Sequence, residues 1–271
     1  VTANDLPASQ VKRPLLARFG APVIAGYRAA RDLGRLFVDT FVAIARGRAS
    51  RKQVFEQAFE IGNRSVPFVV ITLGVLGFIT VYQVAHQVAQ ILPDFSMLGA
   101  AFIQMMCREF APTITGLMVA TRVGSGIAAE IGSMVVTEQV DALKMCNADP
   151  VEYLLAPRTL ASGVMLVMLT VVGVVSATIA GMLIAKAGFG IPYQTFLRFD
   201  LVGVSDVATG VTKAFAYGLA IPVIAGQAGL QATGGSAGVG AATTRAVVNT
   251  SFAVIVLDFV LSGLAYVVFD K

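Results

Sequence analysis

The chain has 271 residues, is 56% hydrophobic and only 13% charged, and carries a formal net charge of +4. A soluble domain carries roughly 25% charged residues, so this composition excludes an ordinary soluble protein and divides the length into membrane spans. The basic excess is not a nucleic-acid footprint: eleven of the twenty Lys and Arg residues, from Lys12 to Arg64, precede the first long apolar run. Cytoplasmic flanks collect such residues, which places the N-terminus inside, and the same cations can hold anionic head groups.

Residues 1–21 read as a polar tail containing Pro7 and Pro14. From Pro22 the pattern becomes helical. Val23, Ile24, Tyr27, Leu33, Phe37 and Phe41 recur on one face, and Arg28, Arg31, Asp32, Arg35 and Asp39 fill the other. A basic amphipathic helix lies in the membrane interface, so residues 22–64 form an interfacial region ahead of a polytopic domain over 65–271.

Five apolar runs are long enough to cross a bilayer, which takes about 20 residues. They cover about 65–92, 97–124, 159–185, 207–229 and 247–269. The fold class is therefore all-α integral membrane protein: an N-terminal amphipathic interfacial helix, five transmembrane helices, and a short cytoplasmic helix between the second and third. With the N-terminus inside, loops 125–158 and 230–246 are inside and carry Lys144, Arg158 and Arg245. The outside loops hold Lys186 and Arg198 against Asp94, Asp200 and Asp206, an asymmetry of the positive-inside kind. No cleavable signal is expected, because the first apolar stretch begins late and runs long.

Charges inside spans are costly and mark function or helix packing. Arg108 and Glu109 stand in the second span just before Pro112, which removes the intrahelical donor for the Arg108 carbonyl. They line a substrate cavity or lock helices together; both readings stand. Lys213 in the fourth span and Asp258 in the fifth have opposite charge at membrane depth, which motivates a Lys213–Asp258 pair. Arg122 is on nearly the same helix face as Arg108 and reads best as snorkelling to head groups. Gly116, Gly124, Gly126 and Gly132 fit small-residue helix contacts.

The run Thr137–Asp149 (TEQVDALKMCNAD) is a short amphipathic helix between spans, capped by Thr137 and stopped by Pro150. Held rigidly, it transmits force from a soluble motor; unheld, it is a solvated loop helix. Gly229–Gly240 (GLQATGGSAGVG) lacks the Lys-Ser/Thr ending of a phosphate loop and reads as a flexible inside loop. His86 is alone, and Cys107 and Cys146 with it make a poor zinc set. Neither a catalytic triad nor a metal site is expected.

Arg108–Ala161 (REFAPTITGLMVATRVGSGIAAEIGSMVVTEQVDALKMCNADPVEYLLAPRTLA) resembles the signature region of the MlaE/YrbE permeases, with Glu-Gln-x-Asp-Ala-Leu at Glu138–Leu143 as its specific core. Thr243–Leu264 is similar to the family's last span. These permeases are the membrane subunits of ABC transporters that work with MCE-domain lipid-binding proteins. The resemblance implies a multi-pass protein of the bacterial inner membrane that moves phospholipid or another hydrophobic lipid. It implies a second permease copy (homodimer or paralogue), and a separate cytoplasmic ATPase that holds ATP and magnesium, with no cofactor on this chain. Glu138, Gln139, Asp141 and Leu143 would form the coupling helix. Arg108, Glu109, Lys213 and Asp258 match charged positions in family spans and would lie on the substrate pathway. Two other classes predict different behaviour. A proton-coupled carrier using Glu109 and Asp258 would follow a pH gradient, and a non-transporting scaffold would lose assembly alone.

Overall fold

A computed structural model describes residues 15–47, 50–91 and 94–269. Residues 1–14 of the expected tail, and Leu92 and Pro93 at the expected end of the first span, lie outside the described residues. Every regular element among the described residues is helical. That follows from the solvent: lipid offers backbone groups no partners, and a helix satisfies them within one segment.

Helix α1 (Leu15–Ala45) begins ahead of the break expected at Pro22. Its Thr40 and Ala43 are buried, whereas Tyr27, Val38 and Phe41 are exposed. The region expected as one interfacial unit over 22–64 holds parts of two helices: α1 ends at Ala45, and α2 (Arg51–Ile91) runs unbroken into the first apolar stretch. With 41 residues, α2 is about 60 Å long at roughly 1.5 Å per residue, twice the ~30 Å hydrocarbon layer. Its charged turns, Arg51 to Arg64, therefore extend beyond the lipid core or tilt along its surface.

Helix α3 (Leu98–Val136) is the second apolar helix, followed by α4 (Gln139–Met145) and the third, α5 (Val151–Phe189). After the single-turn α6 (Tyr193–Phe196) come α7 (Val204–Leu230) and α8 (Gly235–Phe269). Five of these, α2, α3, α5, α7 and α8, are long and apolar enough to cross a membrane. Successive crossings alternate in direction, so α4 and the α7–α8 turn share one end of the bundle.

That second turn corrects the flexible loop expected over Gly229–Gly240. Only 231–234 are non-helical. Gly234 and Gly235 take φ of 88° and 72°, a left-handed conformation that a Cβ disfavours. A Cβ on Gly238 would also strike the Thr233 carbonyl. The glycines build a tight turn there.

Two buried clusters organise the bundle. One includes Leu73, Phe102, Met106, Leu166, Tyr217 and Ile221 in the middle of the spans. The other, with Ile127, Ile131, Val140, Leu154, Leu155 and Ala246, fills the end that carries α4. Apolar packing against lipid gives little drive for association, so close backbone approach has to supply it. A Cβ on Gly77 would meet the Ala177 backbone, and one on Gly218 the backbone of Ser162 and Gly163. Of the glycines singled out in the sequence, Gly116 faces the Tyr217 ring, Gly124 faces Thr250 and Gly132 faces Ala232, but Gly126 meets nothing within 4 Å.

These contacts give opposite expected signs for one substitution. Gly218→Ala forces α7 off α5 and lowers the melting temperature in detergent. Gly74→Ala meets nothing within 4 Å and gains helix propensity, up to about 1 kcal/mol. Thermal unfolding of the two variants side by side checks both signs.

Valines and other large apolar residues left outside form a belt. On α5, Val164, Met168, Val171, Val175, Ile179 and Leu183 are exposed at helical spacing, and α8 exposes Phe252, Ile255, Phe259 and Val260. In a bilayer this is a surface that meets lipid.

Candidate functional site

Pro112 shapes the charged centre. Because it has no N–H, the α3 ladder widens into a π turn over Met106–Phe110, and the Ala111 N–H reaches back to the Met106 carbonyl. The Thr113 hydroxyl lies 2.8 Å from the Glu109 carbonyl oxygen. The turn presents its two ionisable side chains, Arg108 and Glu109, beside this rearranged backbone.

Three helices then supply one pair each at i, i+4 spacing, the spacing that places side chains on one face: Glu109 and Thr113 from α3, Lys213 and Tyr217 from α7, Asp258 and Ser262 from α8. The Lys213 ammonium has three donors and uses all of them. It reaches Glu109 Oε2 at 2.5 Å, Asp258 Oδ1 at 3.0 Å and Ser262 Oγ at 2.6 Å. The Tyr217 hydroxyl donates to Asp258 Oδ1 at 2.7 Å, and Thr113 Oγ1 stands 2.8 Å from the same oxygen. Lys213 is fully buried at 0% exposure, while the Glu109 and Asp258 side chains keep 37% and 25%. The cation is enclosed and the carboxylates open outward. The Lys213–Asp258 pair expected from depth and sign is formed, with Glu109 as a third member.

Arg108 takes a separate partner. It donates to Asp206 Oδ1 at 3.3 Å, and Gln104, one turn earlier, donates to Oδ2 at 3.0 Å. Asp206 Oδ2 also accepts the Gly203 N–H at 3.0 Å at the start of α7. Asp206, expected in an outside loop, is instead 3% exposed. Its signal in the sequence was an acid in the first turn of a helix, three residues after a glycine, where backbone donors and the helix dipole favour negative charge. Asp206→Ala removes the α7 cap and the 3.3 Å contact that Asp206 makes with Arg108. It is expected to cost about 1–3 kcal/mol, read as a lower melting temperature, with Asp206→Asn losing less because it keeps an acceptor.

Nearer the α4 end, Arg122 is half-buried and donates to Ser65 Oγ at 2.9 Å instead of simply reaching outward. Arg158, expected as a loop cation, is 5% exposed and pairs with Glu130 at 2.5 Å. Composition gave no sign of that pair. His86 and Gln90 bond at 3.2 Å on the exposed face of α2, and Cys107 and Cys146 are free thiols.

At the end of α3, Thr137 does not cap α4. Its hydroxyl bonds back to the Ser133 carbonyl at 2.9 Å, closing α3. Glu138 takes the N-cap position in a left-handed conformation, φ 61°. After Met145 the chain turns through Asn147, φ 58°, so α4 ends ahead of Pro150. Val140 is 5% exposed inside the second cluster, with Leu143 packed against that cluster. Leu143 thus turns toward the bundle, whereas Glu138, Gln139, Asp141 and Lys144 are exposed and Met145 is 91% exposed. Asp141 and Lys144 pair at 2.8 Å across one turn. A short helix anchored by its apolar face and joined at both ends to long helices moves with them.

The profile of the family described as Permease MlaE matches residues 54–264. A probable ABC transporter permease protein of Synechocystis is 36% identical over 228 residues, which are 83% of this chain and 86% of the relative. Another of the same description from Pyropia yezoensis is 30% identical over 84% of this chain and 87% of its own length. A third, from Rickettsia typhi, is 32% identical over 88% and 93%.

Proposed function

The chain belongs to the Permease MlaE family, and from that premise we propose that it moves a hydrophobic lipid, phospholipid among the candidates, through the membrane. It is a multi-pass permease subunit of an ABC transporter, not itself an enzyme. In the proposed assembly a separate cytoplasmic ATPase binds and hydrolyses ATP with magnesium. A second permease copy pairs with this one, and an MCE-domain protein on the outer face exchanges lipid with the pair in the bacterial inner membrane. The N-terminus and α4 face the cytoplasm.

One observation carries the coupling: α4 presents Glu138, Gln139, Asp141 and Met145 outward while Val140 and Leu143 fix it to the α3, α5 and α7 core. A displacement imposed on the exposed side is passed to three spans, because a packed interior resists compression. Two of those spans, α3 and α7, hold the Glu109–Lys213 contact. ATPase closure then pushes α4, and α3, α7 and α8 shift relative to one another. The Lys213 ammonium exchanges its short contacts to Glu109 and Asp258 for longer ones, opening and closing a polar-lined path beside the apolar belt. The partly exposed carboxylates meet the head group of the passing lipid, and the belt meets its chains.

Reconstitution of the chain with its ATPase in vesicles containing a fluorescent phospholipid tests the reading. Lipid movement that requires ATP and stops with a Walker-defective ATPase is expected. Movement that follows a pH gradient without the ATPase overturns it.

A further inference from the structure

Between the lower turns of α2 and the second half of α3 lies a cavity of 220 Å³, lined by Gln57, Glu60, Ile61 and Arg64 on one side and by Arg122, Val123, Gly126, Ile127 and Glu130 on the other. It is separate from the Lys213 centre. Its two carboxylates already have cations: Glu60 with Arg64 at 2.9 Å and Glu130 with Arg158 at 2.5 Å. Arg122 has none. Among the described residues its hydrogen bond is to the hydroxyl of Ser65, itself 2% exposed, which fixes one corner of the guanidinium and leaves the remaining N–H donors for the cavity. A half-buried arginine with a neutral partner in an apolar helix is costly unless an anion completes it.

The position along α2 identifies the anion's source. Charged residues stop at Arg64, and none occurs from Ser65 to Leu92. The cavity therefore straddles the level where the helix passes from polar surroundings to hydrocarbon, the level of lipid phosphates. A planar guanidinium binds phosphate oxygens in a bidentate fork. Gln57 adds an amide donor, and Ile61, Val123 and Ile127 give an apolar wall for a glycerol backbone and the first methylenes of a chain. Gly126 has nothing within 4 Å of a Cβ position, which keeps that wall open.

We infer that this cavity binds the phosphate of a membrane glycerophospholipid, with Arg122 as its principal ligand and Arg64 and Gln57 as secondary ones. The site is a property of this chain alone and does not depend on lipid being the transported cargo.

Native mass spectrometry of the full chain, released from detergent with dioleoyl phosphatidylglycerol, with dioleoylglycerol, or with inorganic phosphate, tests it. One phospholipid is expected to survive collisional stripping, and dioleoylglycerol, which lacks the phosphate, to bind about tenfold more weakly or worse, a gap of one charge-assisted contact. Arg122→Gln is expected to lose a similar factor for phospholipid and Arg122→Lys to recover part of it, which separates a binding defect from misfolding. Equal retention of dioleoylglycerol, or an unchanged phospholipid adduct in folded Arg122→Gln, overturns the site. Occupancy by inorganic phosphate without discrimination among lipids overturns the lipid assignment.

Discussion

Lys213→Met is expected to destabilise the folded chain by about 3 kcal/mol and to abolish transport, because it leaves two carboxylates facing each other without their cation. The estimate sits at the lower end of the range for broken buried pairs, since Glu109 and Asp258 keep 37% and 25% exposure and retain some solvation. Thermal unfolding in detergent gives the stability loss, and the vesicle assay gives the transport loss. The triple variant Glu109→Gln, Lys213→Met, Asp258→Asn separates the two roles. Removing all three charges removes the repulsion as well as the attraction, so stability returns to within about 1–2 kcal/mol of the parent. Transport does not return if the charges serve the pathway. A triple variant that transports at the parental rate would reduce the network to packing.

Glu138→Arg is expected to lower ATP-driven transport by roughly tenfold or more while leaving the fold intact, since opposite-charge contacts at an interface of this kind are worth about 1.5 kcal/mol upward. Charge is confounded here with backbone, because Glu138 is held at φ 61°. Glu138→Gly resolves the two. Glycine relieves the left-handed strain, worth about 1–2 kcal/mol, and removes the carboxylate without reversing it. It is therefore expected to raise the melting temperature while weakening ATPase association less than Glu138→Arg does. ATPase co-purification and stimulated ATP hydrolysis, measured on both variants, decide the matter. Full association in Glu138→Arg would sink the coupling assignment for this residue.

The difference between Glu138 and Leu143 shows where reading a sequence stops. Both stand in the same short run, and the family resemblance gave them one role, although the pattern put Leu143 with Val140 on an apolar face. Tertiary packing gave them different faces: Leu143 against the second cluster, Glu138 at a bend outside it. Met145 is 91% exposed there, and neither periodicity nor charge marked it out. Thr137 is a similar case. A threonine before an acid reads as an N-cap, but its hydroxyl had a carbonyl of the preceding helix within reach and closed that helix instead.

What the sequence determined by itself was whatever the bilayer imposes on each segment separately. Twenty or so apolar residues must form a helix to satisfy their own backbone, so the five spans and their order were legible from composition. The cost of charge at depth marked Arg108, Glu109, Lys213 and Asp258 one at a time, and opposite signs suggested the Lys213–Asp258 pair. The motif around Glu138–Leu143 carried the family. Tertiary structure alone decided which helix faces which. That choice turned Asp206 from a loop acid into the buried partner of Arg108, joined Arg158 to Glu130, and made Glu109 the third member of the Lys213 centre. The physical reason is that each membrane helix is stable alone, so nothing local records its neighbours. Partner choice lies in glycine-scale close approach and in polar contacts between residues 28 to 104 positions apart, and these exist only once the bundle has formed.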